Sequence, residues 1–139
     1  RVGERTRELS ELVDDLDLPP MTAEPTAVAV HHSCHMLREL RIREAPERVL
    51  DRVDGVERVP WEGDDRCCGF GGLFSVTLPE LSTAMADEKL AALVEAGVDE
   101  VVGCDATCLA QLRTRSESTG HPLRTRHLAQ VLDDALPDA

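Results

Sequence analysis

The residues of this chain best suited to chemistry are its five cysteines, set as Cys34-x32-Cys67-Cys68-Gly69-x34-Cys104-x3-Cys108. Neighbouring cysteines such as Cys67 and Cys68 do not readily bond to each other, because the ring they would close is strained. Adjacent thiolates followed by glycine serve better as ligands that grip one polynuclear metal centre. Gly69 lets the backbone pass close by and turn N–H groups toward a negatively charged cluster. The pattern therefore reads as an iron–sulfur site. Zinc is the chemical rival, since it takes four S or N donors, and His31, His32 or His35 could contribute. The same histidines could instead act around the metal, as donors to cluster sulfur or in a proton relay; His35, beside Cys34, is the leading candidate, followed by His31. A plainer role is also open for Cys104, because free cysteine is among the most buried residue types.

Elements that could position these thiols follow from the hydrophobic pattern. Residues 4–16 carry a helical stripe of Leu9, Leu12, Val13 and Leu16, ended by Pro19 and Pro20, and residues 18–25 read as a linker. The apolar run 27–30 suits a buried parallel strand, and a helix is expected from residue 36 to about 41. A second helix is expected over 47–53 after Pro46, a strand over 56–59, and a loop over 60–72 that carries the paired cysteines. Thr77 with Glu80 has the form of a capping box for a helix that Gly97 would close. A strand at 98–102, a helix capped by Asp105 and running to about Ser116, a strand at 123–125 and a helix over 127–136 complete the chain. The alternation predicts an α/β fold: a parallel sheet with flanking helices and the cysteine loops at the carboxyl ends of its strands. The helix starts near Cys34 and Cys108 would favour thiolates.

Composition narrows the functional classes. The 139 residues suffice for one core, and the formal charge of −12 argues against a nucleic-acid footprint. No apolar run approaches the roughly 18 residues of a membrane span. An odd number of cysteines fits a reducing, cytoplasmic setting better than a secreted disulfide framework. The start Arg1-Val2-Gly3-Glu4-Arg5, without Met or signal peptide, suggests a piece of a longer protein.

Four segments carry a family resemblance: His31-x-x-Cys34-His35-x-x-Arg38, Cys67-Cys68-Gly69-Phe70-Gly71-Gly72-x-Phe74-Ser75, Met85-Ala86-x-x-Lys89 and Asp105-x-x-Cys108-Leu109. They resemble the cysteine-rich "CCG" domain, nearest to the C-terminal domain of the lactate utilisation protein A family. The glycolate oxidase iron–sulfur subunit, the anaerobic glycerol-3-phosphate dehydrogenase C subunit and the corresponding subunit of heterodisulfide reductase are more distantly similar. The likeness runs from about Arg5 to Leu136. It implies a division into an N-terminal helix and linker, residues 1–23, and a CCG iron–sulfur domain, residues 24–139, which would be the second of two family repeats with the first absent.

The resemblance implies a 4Fe–4S cluster, cubane or non-cubane, held by Cys34, Cys67, Cys68 and Cys108, each matching a family ligand. Where the wider family places a further cysteine, this chain has Asp105, with Cys104 one position earlier. Cys104 could ligate from its shifted position, Asp105 could supply an oxygen, or four thiolates could suffice; thiolate is the commoner partner of iron. The implied function is electron transfer during oxidation of L-lactate or a related 2-hydroxy acid. The implied partners are other iron–sulfur subunits and the absent first domain, in the cytoplasm or peripheral to a membrane through those partners. The alternatives are a metal-stabilised interaction domain, with zinc or a structural cluster, and thiol/disulfide catalysis of the heterodisulfide reductase kind. In a metal-free state, the expected disulfide joins Cys104 to Cys34 or to one of the adjacent pair.

Overall fold

The computed structural model describes residues 6–137. Four strands, β1 (Met21–His31), β2 (Val53–Arg58), β3 (Glu100–Gly103) and β4 (Arg124–His127), form a sheet in the order β2-β1-β3-β4. Every pairing is parallel, so the α/β class expected from the sequence is the observed one. The helices are α1 (Leu9–Asp14), α2 (Glu44–Leu50), α3 (Leu73–Thr77), α4 (Pro79–Ala96), α5 (Ala106–Ser118) and α6 (Leu128–Ala135), with a π-helical turn at His35–Leu40.

The central strand β1 alternates its side chains between two cores, as a strand must. Val28 and Val30 point into a cluster with Val13 of α1, Val49 and Leu50 of α2, and Val131 and Leu132 of α6. Ala29 faces the opposite cluster, with Leu90 and Leu93 of α4 and Leu109 and Leu112 of α5. Both faces are thus covered, which is why residues 27–30 are apolar without interruption.

Several boundaries differ from expectation, each for a local reason. The segment expected as linker is already strand, because β1 begins at Met21. Its pairing with β2 shifts register between Thr22 and Thr26, and Pro25, which has no N–H to offer, falls inside that irregularity. Opposite it, Gly55 has φ +93°, and a Cβ there would lie 2.1 Å from the Ala23 carbonyl oxygen. β2 starts at Val53, ahead of the expected 56, because it pairs there with Met21 at the start of β1.

The helix expected from residue 4 is described only as Leu9–Asp14, residues 4 and 5 lying outside the described residues. Val13 is buried and Leu9 packs partly against the core, but Leu12 and Leu16 are exposed. Arg52 holds the end of α1 by donating to the carbonyls of Val13 (3.2 Å) and Leu16 (3.0 Å).

The capping box expected at Thr77 does not form. Thr77 belongs to α3, and its hydroxyl donates to the Leu73 carbonyl at 3.0 Å. Pro79 disfavours helical geometry at Leu78 (φ −131°, ψ 60°), which separates α3 from α4. Gly97, at φ +66°, does close α4. The capping box present in the fold is at α6, where Gln130 Oε1 accepts from the His127 N–H (2.9 Å) and His127 Nδ1 accepts from the Ala129 N–H (3.1 Å).

Candidate metal centre

Three loops leave the carboxyl ends of adjacent strands and bring most of the chemistry-bearing residues together. The end of β1 supplies His31, followed by Cys34; the loop after β2 supplies Cys67 and Cys68; the turn after β3 supplies Cys104, Asp105 and, in the first turn of α5, Cys108. The register His31↔Gly103 sets the ends of β1 and β3 side by side.

Cys68 and Cys108 are buried, with their sulfurs 2.9 Å apart. Together with the His31 ring they place three potential ligand atoms within 4.8 Å of one another. The two thiols form a hydrogen-bonded pair. That bond holds the Cys68 thiol down to about 4, with burial acting the other way and His31 nearby assisting. Cys108 is correspondingly pushed far up by that bond to Cys68 and by burial. Cys34 and Cys67 are half-buried neighbours, and burial together with the Cys67 sulfur raises the Cys34 thiol. Cys34 also senses Cys68 and acts on Cys108, so the four sulfurs form one electrostatic group.

Cys104 stands apart from that group. Its side chain packs against the cluster around α1 and α6 and against Met36, Ile42 and Ala45. Burial pushes its thiol up to about 12, with the Glu8 and Asp105 carboxylates adding to the rise and Ser10 opposing it. Such a thiol stays protonated and behaves as core.

Asp105 caps α5 as its sequence position predicts. One carboxylate oxygen accepts from the N–H of Thr107 (3.0 Å) and Cys108 (3.2 Å) and from the Thr107 hydroxyl (2.6 Å). Burial opposes its ionisation, but these donors prevail and hold the carboxyl below its ordinary value. Asp105→Ala should therefore lower stability by about 1 kcal/mol in a chemical denaturation of the metal-free chain. Metal content should be unchanged; a loss of metal equal to that of a cysteine variant would instead make Asp105 a ligand.

The loop carrying Cys67 and Cys68 is moulded by α4. Gly69 has φ +84°, and a Cβ there would fall 2.3 Å from the Ser82 carbonyl oxygen. Its N–H donates to Cys67 Sγ at 3.4 Å, and its carbonyl accepts from the Ser82 hydroxyl at 2.7 Å. Lys89 is buried, and its ammonium donates to the carbonyls of Gly63 (2.7 Å), Arg66 and Asp64 (3.4 Å) while lying 5.0 Å from the Trp61 ring centroid. Burial lowers it to about 8, and the cysteine sulfurs nearby work against that fall. Although Lys89 belongs to a family-like segment, its anchoring role was not apparent from the sequence. The available signal was a lone lysine on the buried stripe of Ala86, Leu90 and Leu93.

The three histidines separate clearly. His35 is exposed. His32 is buried and bonded through Nε2 to Glu47 Oε1 at 2.8 Å, and its backbone N–H donates to the Asp64 carbonyl at 3.1 Å. His31 is buried beside Cys68 and Cys108, and burial keeps its imidazole pKa below the ordinary value.

A family model described as "Cysteine-rich domain", CCG, matches residues 28–113. The chain belongs to the CCG cysteine-rich domain family. Among curated proteins it is 40% identical over 137 residues to lactate utilization protein A of Exiguobacterium sp., an alignment covering 97% of this chain and 56% of that protein. It is 41% identical over 135 residues to lactate utilization protein A of Geobacillus kaustophilus, covering 96% and 56%. For the protein of that name in Lysinibacillus sphaericus, the identity is 40% over 131 residues, with 93% and 58% covered. The chain thus spans a little over half the length of these relatives. No helix among the described residues is long and apolar enough to cross a membrane.

The donor set of this CCG domain suits a metal. Two buried thiols with an imidazole beside them, their ligand atoms within 4.8 Å of one another, are the donor types that zinc or iron–sulfur ligation uses. Left metal-free in air, the same arrangement invites oxidation. The first disulfide should join Cys68 to Cys108, with dioxygen taking the two electrons, because those sulfurs are already adjacent. This differs from the Cys104 disulfide expected from the sequence, since Cys104 is enclosed by another cluster. Peptide mapping of the aerobically stored chain checks it: a Cys68–Cys108 linkage with Cys104 still alkylatable after unfolding is the expected result.

Proposed function

We propose that this domain binds an iron–sulfur cluster of the 4Fe–4S type, cubane or non-cubane, through Cys34, Cys67, Cys68 and Cys108. In this reading it belongs to a cytoplasmic oxidoreductase subunit that carries electrons from the oxidation of L-lactate or a related 2-hydroxy acid. The observation that carries the proposal is the meeting of Cys68 and Cys108, 2.9 Å apart, from the loops after β2 and β3, beside the β1 end that leads into Cys34. The names of the relatives support the lactate connection.

A bound cluster would supply one-electron transfer; the residues of the chain set its surroundings. Cys68 and Cys108 are enclosed by Leu90, Leu93, Leu109 and Leu112, which exclude water. The first turn of α5 directs its positive end toward Cys108, and the buried Lys89 ammonium offsets the negative charge of the thiolates. Leu73, Val76, Leu78 and Leu81, all exposed, follow the cysteine loop along α3 and the start of α4. This apolar strip suits docking of a further iron–sulfur subunit or of the first CCG repeat, through which the domain could also be held at a membrane surface.

Anaerobic reconstitution with iron and sulfide tests the reading. Matched iron and sulfide contents and a paramagnetic signal that appears or disappears reversibly on reduction are expected. The compact group of His31, Cys68 and Cys108 favours zinc as a second reading, with the metal serving as a structural clamp. Stoichiometric zinc in the chain purified without oxygen, no bound sulfide, and no iron uptake on reconstitution would decide for it.

A further inference from the structure

We propose that His31 is itself a ligand, supplying a ring nitrogen to the metal centre beside Cys68 and Cys108. The inference rests on the reading that this domain holds a metal centre, and it adds a donor that the cysteine pattern does not contain. His31 is 2% exposed, and its ring nitrogens find no hydrogen-bond partner among the described residues other than the neighbouring Cys68 sulfur. Buried polar atoms are nearly always paired, and leaving one unpaired costs about 1–3 kcal/mol. His32, next in sequence and equally buried, has Nε2 bonded to Glu47. The fold therefore pairs one ring nitrogen of His32, leaving its Nδ1 unpartnered, whereas the His31 ring has only cysteine sulfur beside it.

Position and reach agree with ligation. His31 ends β1 with its side chain on the same face as Ala29, the face that holds Cys68 and Cys108. Donors sharing one metal ion at about 2.0–2.3 Å each lie within roughly 4.6 Å of one another. The three candidate atoms here fall within 4.8 Å, so small side-chain adjustments complete the set. Cys104, the fifth thiol, packs among other residues, which leaves room for a donor of another kind.

The alternative role for His31 is an N–H donor to a ligand sulfur, and magnetic resonance separates the two. The chain is grown with 15N-histidine, reconstituted anaerobically with iron and sulfide, and examined by pulsed EPR in its paramagnetic state. A strongly coupled histidine nitrogen is expected in the parent chain and in His35→Ala, and its loss in His31→Ala. His31→Cys should retain metal and lower the reduction potential, because thiolate adds negative charge where imidazole adds none. An intact cluster signal with no strongly coupled nitrogen in the parent chain overturns the inference and leaves the iron–sulfur reading standing. A coupling that survives His31→Ala overturns it equally. If the chain takes zinc and no iron, zinc-edge X-ray absorption decides: a nitrogen neighbour lost in His31→Ala supports the assignment, and sulfur-only coordination ends it. Failure to hold any metal overturns both readings.

Discussion

Alanine at Cys68 or Cys108 should reduce metal uptake by the chain to near zero, and alanine at Cys104 should leave it intact. Cys68 and Cys108 are the most enclosed sulfurs of the group and lie 2.9 Å apart, so each lost thiolate removes a donor that water cannot easily replace. Cys34 and Cys67 should behave in the same way, with partial retention more accessible because both are half-exposed. Cys104→Ala deletes one half-buried sulfur packed near Met36 and Ile42, a small truncation that should lower stability by about 1 kcal/mol without touching the donor set. Metal and sulfide analysis of the variants after identical anaerobic reconstitution reads the difference. Full metal content in Cys68→Ala or Cys108→Ala would remove the basis for placing the centre here. Lost metal in a folded Cys104→Ala would return that residue to the ligand set.

Arg126→Met should be the most damaging single change away from the cysteines, lowering stability by about 3–5 kcal/mol, the usual penalty for stripping the partner from a buried ion. Glu100 at the start of β3 is fully buried, and Arg126 of β4 grips it with two bonds of 2.8 and 3.0 Å. Arg124 adds a weaker contact at 3.2 Å, with its side chain largely in solvent. Removing Arg126 would leave a carboxylate enclosed in the sheet with only that exposed partner. Arg126→Met combined with Glu100→Met should recover most of the loss, since an apolar pair of similar volume often replaces a buried ion pair without penalty. Urea denaturation of the parent, the single variant and the double variant measures it; equal instability in the single and double variants would attribute the effect to shape and not to charge.

Much of this architecture was legible because its signals are strong. The run Ala27-Val28-Ala29-Val30 suited a strand covered on both faces, and Asp105 was well placed to cap the helix that follows it. Signals that depend on long-range geometry were not legible. Pro19 and Pro20 made residues 18–25 look like a linker, whereas β1 already starts at Met21 and Pro25 occupies a register irregularity within it. Proximity in sequence favoured His35 over His31 as the companion of Cys34. In the fold, the π-helical turn leaves His35 exposed while the alternation of β1 directs His31 toward the sulfurs. Cys104 and Cys108 are both near the end of β3, but the turn sends them to different clusters, and spacing alone does not reveal that. Lys89 could be seen as unusual, but the carbonyls that it holds lie in a loop more than twenty positions away.

The strand order has a further consequence, for the time at which the site comes into being. Parallel neighbours cannot be joined by tight turns, so β1 meets β3 only after a long intervening segment has been brought back across the sheet. Such non-local pairing is slow to form. On a growing chain, Cys34 and the adjacent Cys67 and Cys68 leave the ribosome well before Cys108, and they gain their final companion only when α5 docks. Until that moment they are reactive thiols without a common enclosure. The topology therefore makes completion of the donor set a late event that waits on the docking of α5, and it opens a window in which oxidants can reach the same sulfurs.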